Sequence, residues 1–343
     1  MKLKHYLGAL AIIALPFALT ACGDDDNVPA KPVKPSKPSG TNTDNSGTNT
    51  NNSGTTGNSG TTDNSGTTDS KEKNIFFLCF GQSNMEGNAA PIAKDKTVDP
   101  RFQSYVCYAG EYDGKKYNVG DLRSATPPLC RAGQAGGIGV TDYFGRTLVE
   151  KLPETYKVRV AVVGLGGSSI KGFLETEREA YLNQLKSKGT NWLLGYYKCY
   201  DDKPYDRMIE IAKQAIDNGD EFGGILFHQG ESDWNNDDWN TQVQKVYNNI
   251  CKDLEIEATG TPFIAGQVTA NNSQKINDLP KFIKNCYVIK SDNCENDSKG
   301  ENGTVAPGTD NKIHFNHAGY EEMGKRYAEK MYDILKNKYK DLE

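Results

Sequence analysis

Apolar positions along this chain fall into two alternating patterns. The runs "NIFFLCF" (74–80), "VRVAVVGLG" (158–166), "GGILFHQG" (223–230), "TPFIAGQVT" (261–269) and "CYVIKSD" (286–292) are short and rich in β-branched or aromatic residues, which predicts five strands buried on both faces. Longer amphipathic stretches separate them: "GVTDYFGRTLVEKL" (139–152), "YDRMIEIAKQAI" (205–216), "DDWNTQVQKVYNNICKDL" (237–254) and "HAGYEEMGKRYAEKMYDILKNKY" (317–339). Met208, Ile211 and Ala215 in one, and Met323, Tyr327, Met331 and Ile334 in another, recur at helical spacing. Strands alternating with helices predict an α/β fold, a three-layer α/β/α sandwich around a mostly parallel five-stranded sheet. Residues 88–137 and 172–204 follow neither pattern and are expected to be variable loops. In such a sheet, functional residues gather beyond the carboxyl ends of the strands.

Before residue 71 the alternation is absent. Lys2, Lys4 and His5 precede an apolar run from Tyr6 to Ala18, and "LTAC" ends at Cys22. A short basic region, a short apolar region and small residues make a secretion signal over residues 1–21, too short for a good membrane span. A cysteine at its end resembles the lipobox of bacterial lipoproteins, which implies lipidation of Cys22, membrane lipid as a partner, and a place in the bacterial cell envelope. The acidic run Asp24–Asp26 resembles export signals of surface-displayed lipoproteins, so the outer membrane, facing outward, is the expected address. Residues 27–70 are Pro/Lys-rich and then Asn/Ser/Gly/Thr-rich; they cannot bury enough surface to repay ordering, and residues 22–70 are expected to form a flexible tether. Residues 71–343 are long enough for one sizeable core.

A net charge of -5 argues against nucleic acid as a partner and is compatible with a glycan. Of eight cysteines, Cys22 is reserved for lipid and Cys79 sits in a strand as a buried thiol. The other six, Cys107, Cys130, Cys199, Cys251, Cys286 and Cys294, allow up to three disulfides in an oxidising compartment, with Cys286–Cys294 the easiest pair. None has the spacing of a metal site.

Chemistry concentrates at the predicted strand ends. Ser83 follows the first strand; Gly166, Gly167, Ser168 and Ser169 follow the second; His228, Gln229, Glu231 and Asp233 follow the third; His314 and His317 precede the last helix. Only four histidines exist, and all but His5 fall in these places. Ser83 followed by Glu86 also fits a helix-capping box, a role compatible with that of a nucleophile. "GLGGSS" lacks the spacing and the lysine of a phosphate-binding loop.

"GQSNMEG", "GLGGSSI", "HQGESD" and "IHFNHAGYEEMGKRYA", in this order, resemble the sequence blocks of the SGNH hydrolases, in the carbohydrate acetylesterase branch that includes sialate O-acetylesterases and acetylxylan esterases. The resemblance implies a metal-independent serine esterase with no cofactor. Ser83 is the implied nucleophile, with His314 as base because the "IHF" block carries the family's catalytic histidine. The implied oxyanion donors are the backbone N–H groups of Ser83 and Gly167 and the side-chain amide of Gln229. Many relatives carry an aspartate three residues before the base, but Asn311 stands there and Asp310 lies one residue further away. Some acetylxylan esterases use the glutamate of "HQGE" instead, so Glu231 is the preferred triad acid and Asp310 the alternative. Asn84, His228, Asp233 and His317 are assigned to substrate binding or to orienting the loops.

The expected reaction is release of acetate from an acetylated polysaccharide or glycan through an acetyl-enzyme. The absence of an inserted domain favours acetylxylan, with sialate O-acetyl ester as the alternative and a non-catalytic glycan-binding lipoprotein as the other class. Trp192, Tyr196, Tyr197 and Trp234 are candidates either to stack on sugars or to fill the core.

Overall fold

The computed structural model describes residues 72–134, 137–268, 273–299, 302 and 311–342. The signal peptide, Cys22, the tether to Ser70, and Asp310 lie outside the described residues.

The main sheet contains β1 (Lys73–Gly81), β2 (Phe102–Tyr105), β5 (Leu122–Ser124), β6 (Tyr156–Gly164), β7 (Glu221–His228), β8 (Phe263–Gly266) and β9 (Cys286–Ile289), in the order β5-β2-β6-β1-β7-β8-β9. Every neighbouring pair is parallel except the edge strand β5, which is antiparallel to β2. The sheet therefore has seven strands and is mixed, where the apolar pattern predicts five. The two extra strands, "FQSY" and "LRS", are too short to display a period and lie at one edge of the sheet. Two small antiparallel pairs stand outside it: β3 (Gly110–Tyr112) with β4 (Lys115–Tyr117), and β10 (Asn296–Asp297) with β11 (Asn311–Phe315).

Eight α-helices accompany the strands among the described residues: α1 (Ser83–Glu86), α2 (Val140–Lys151), α3 (Glu175–Ser187), α4 (Asn191–Lys198), α5 (Pro204–Asp217), α6 (Trp239–Asp253), α7 (Ser273–Asp278) and α8 (His317–Lys338). The continuous apolar run of β1 arises because both of its faces are covered. Ile75, Phe77 and Cys79 join a core with Phe144 and Leu148 of α2 and Tyr327 and Met331 of α8. Phe76, Leu78 and Phe80 join the opposite core with Met208 and Ile211 of α5 and Val243 and Ile250 of α6. Each of the fully buried Phe or Leu side chains contributes about 1.5–3 kcal/mol of transfer free energy.

The same division of faces accounts for the cysteines. All seven in the described residues are free thiols, in contrast to the disulfides expected from their number. Cys286 belongs to the core beneath α5 and α6, whereas Cys294 packs against the α2/α8 core, so the pair nearest in sequence is separated by the sheet.

Candidate active site

β1 lies between β6 and β7, with Gly81 in register with both Gly164 and His228. Three loops therefore leave the sheet side by side. Gly81 is required where the turn leading to Ser83 crosses β7, because a Cβ there would lie 2.0 Å from the His228 carbonyl oxygen. The Gln82 N–H donates to that same oxygen at 3.0 Å, and α1 begins at Ser83. Ser83 is 6% exposed, and its Oγ lies 2.8 Å from Nε2 of His314.

Asn84 fixes this approach. Its Nδ2 donates to the Ile313 carbonyl at 3.0 Å, and its Oδ1 accepts from the Phe315 N–H at 3.3 Å, so one fully buried side chain holds the backbone on both sides of His314. Nδ2 also donates to Glu231 Oε1 at 2.6 Å, and the Tyr320 hydroxyl donates to Oδ1 at 2.8 Å. With every polar atom engaged inside the protein, Asn84 is a positioning residue and not the substrate contact expected from its place beside Ser83.

The β6 loop supplies the other side of the site. Gly167 adopts φ +74°, and a Cβ on it would sit 2.6 Å from the Trp192 ring. The Ser83 N–H, first in its helix, has no intrahelical acceptor, and among the described residues neither it nor the Gly167 N–H has a partner. Glu86 holds this loop in place: Oε2 accepts the Gly166 N–H at 2.6 Å while Oε1 pairs with Arg131. Glu86 thus does not complete a capping box with Ser83. Position 82 is the N-cap, without a side-chain cap bond.

Other sequence candidates occupy different places. Gln229 is fully buried, and its amide donates to Asp233 Oδ2 at 2.5 Å and to the Ser168 carbonyl and Gln82 Oε1, both at 3.2 Å. Its Oε1 accepts from Trp239 Nε1 at 2.6 Å, so this side chain braces the loops and has no donor left for an oxyanion. Asp233 accepts from Ser169 Oγ at 2.6 Å and the Ile170 N–H at 2.8 Å, tying the β7 loop to the β6 loop. His228 is fully buried, with Nδ1 3.2 Å from the Tyr327 hydroxyl, and cannot meet a substrate. His317 turns away from Ser83 and bonds Asp95 Oδ2 at 2.7 Å, while Tyr143 donates to the other Asp95 oxygen at 2.6 Å. Its position at the start of α8 explains that direction: a side chain three residues past His314 belongs to the helix and not to β11.

Residues 72–333 match the family described as carbohydrate esterase, sialic acid-specific acetylesterase. The chain belongs to this family. It is a hydrolase of carbohydrate esters, and its α/β/α architecture is SGNH-like. Among solved structures, a protein from Arabidopsis thaliana is similar at 15% identity and a TM-score of 0.53, covering 76% of this chain and 98% of its own. NanS is similar at 13% identity and a TM-score of 0.56, covering 78% of this chain and 99% of its own. These likenesses concern the fold.

Electrostatics in this carbohydrate esterase follow from burial. Desolvation lowers the pKa of His314 to about 4, opposed by the negative charge of Asp297. The imidazole is therefore neutral at ordinary pH and able to accept a proton. His228, buried without a compensating charge, is lowered to about 3. Burial raises Glu231 to about 7, despite its bond from Asn84, and its Oε2 is a buried oxygen without a hydrogen-bond partner among the described residues. Three contributors escape sequence reading: Arg131, Asp297, and Glu86 in its loop-holding role. Arg131 and Asp297 stand outside the four blocks, and no local spacing signals their approach; Glu86 stands inside a block but resembles a cap.

Proposed function

We propose that this enzyme removes O-acetyl groups from sialic acid. Ser83 attacks the acetyl carbonyl as Nε2 of neutral His314 takes its proton. The ester C–O bond breaks, His314 returns the proton to the departing sugar oxygen, and acetyl-Ser83 remains. Water, deprotonated by the same imidazole, attacks this ester and releases acetate. The N–H groups of Ser83 and Gly167 stabilise the developing oxyanion. The observation that carries this reading is the 2.8 Å Ser83–His314 pair, held from both sides by Asn84, in a chain of this family.

The family's description as sialic acid-specific supports this substrate over the acetylxylan favoured by compact length. A sugar is also favoured by the surface beside the loops. Trp192, against Gly167, is 58% exposed, and Trp234, three residues past Glu231, is 69% exposed, whereas Tyr197 is buried in the core. Exposed indole rings offer stacking faces to a pyranose. Acetate release should be measured on O-acetylated N-acetylneuraminic acid, acetylated xylan and acetylated pectin. The expected kcat/KM is at least about tenfold higher on the sialic acid; the reverse ranking returns the substrate to a plant polysaccharide. We also propose lipid anchoring through Cys22, supported by the "LTAC" sequence.

A further inference from the structure

We infer that Asp297 is the carboxylate that positions His314 and stabilises its imidazolium, taking the place of the aspartate absent three residues upstream of His314, where Asn311 stands. The inference rests on the acetylesterase reading above.

β10 pairs Asn296 with Phe315 and Asp297 with Asn311, so a single step along β10 spans four positions along β11. Residues 312–314 form the excess on the β11 side, bounded by these two pairs, and His314 is among them. A bulge of this kind re-aims a side chain next to an active site. It also puts Asp297 beside the stretch that carries the base.

Asp297 is fully buried. A buried carboxylate is costly unless it is hydrogen-bonded and paired. Its Oδ1 accepts the Asn302 N–H at 3.0 Å, and Asn302 Nδ2 donates to the Phe315 carbonyl at 2.8 Å. Asn302 therefore links the carboxylate to the residue that follows His314. The Asp297 charge acts on His314 in the sense a triad acid requires, favouring the protonated ring.

Glu231 is less suited to this role. Its Oε1 is taken by Asn84, its Oε2 makes no hydrogen bond to His314 or to any other described residue, and burial raises its pKa to about 7, so at neutral pH much of it is uncharged when the imidazolium forms. The carboxylates flanking the base in the described residues are thus Asp297 on the hairpin and Glu231 across the Asn84 amide.

The test compares Asp297→Asn, Glu231→Gln and Asp310→Asn in the full chain, using 4-nitrophenyl acetate and O-acetylated sialic acid across pH, beside NMR titration of the His314 imidazole. Asparagine retains an acceptor for the Asn302 N–H. For Asp297→Asn, the expected result is a kcat loss of about 10²–10⁴-fold, KM within about threefold, and a His314 pKa lower than in the unaltered enzyme. An unchanged His314 pKa, or a larger kcat loss in Glu231→Gln or Asp310→Asn, overturns the assignment. If Asp297→Asn does not fold, the Asp297 carboxyl ¹³C signal of the unaltered protein is followed instead. Movement with His314 protonation supports the pairing, and indifference to it overturns it. An unaltered enzyme that hydrolyses neither ester defeats the esterase reading, while the imidazole titration still decides the coupling.

Discussion

Asn84 illustrates how much of a site can depend on an amide that never meets substrate. It stands next to Ser83 in sequence and grips the backbone on either side of His314 in space. Ser83 itself caps nothing with its side chain, so Ser83→Ala is expected to leave the unfolding free energy within about 1 kcal/mol. Acetyl ester turnover should fall by about 10⁵–10⁶-fold. Turnover and denaturant unfolding of the same preparation check both halves, and substantial activity in a folded variant would remove Ser83 from the mechanism. The pH dependence has a definite sign. Only neutral His314 accepts the serine proton, so kcat/KM should rise with pH and reach half its plateau near pH 4, the value to which burial lowers this ring. The same depression costs stability in acid: between the unfolded value of about 6.5 and about 4 the unfolded chain binds the proton and the native one does not. Stability contributed by a neutral His314 is therefore lost as pH falls through that window, and urea unfolding at several pH values reads it.

At the scale of elements, β1, β6–β9 and helices α2, α5, α6 and α8 were legible because their patterns are long and are buried on one or both faces, whereas α3 and α4 fall in residues 172–204, expected to be variable loops. The edge strands β2 and β5 were not, since three or four residues carry no measurable period. Local motifs were legible as sequence but ambiguous in purpose. Glu86 fits a capping box by spacing, yet its carboxylate crosses to the β6 loop, because Arg131 and the Gly166 N–H offer it a charge and a donor. The asparagine-like place of Gln229 suggested an oxyanion donor, but the indole of Trp239 and the carboxylate of Asp233 claim both ends of its amide. Such competition arises only from packing across strands. It also makes a measurable difference. Glu86 and Arg131 are nearly buried, with side chains 10% and 5% exposed, so Glu86→Gln should cost about 3–5 kcal/mol by leaving the guanidinium unpaired. The double change Glu86→Gln with Arg131→Met should recover much of that loss in unfolding curves. Equal destabilisation by the single and double variants would show that the charge pairing is not what holds the loop.

Across the whole molecule, the sequence separates a region able to build a core from one that cannot, and every group proposed for chemistry falls in the former. A chain beginning at residue 71 is expected to retain the kcat and KM of the full protein within about twofold. Cys22→Ser is expected to move exported protein from the membrane to the soluble fraction with loss of lipid labelling. Retained labelling would reject that anchor. The distance along the chain between the proposed nucleophile and base has a consequence for biosynthesis. Ser83 and His314 are 231 residues apart, so a nascent chain can form β1, β6 and β7, together with the loops that surround the serine, while it still has no general base. Contacts of such long range tend to form late. Hydrolytic competence should therefore appear only when β11 docks beside α1, which makes the return of acetate release during refolding a clock for the last step of assembly.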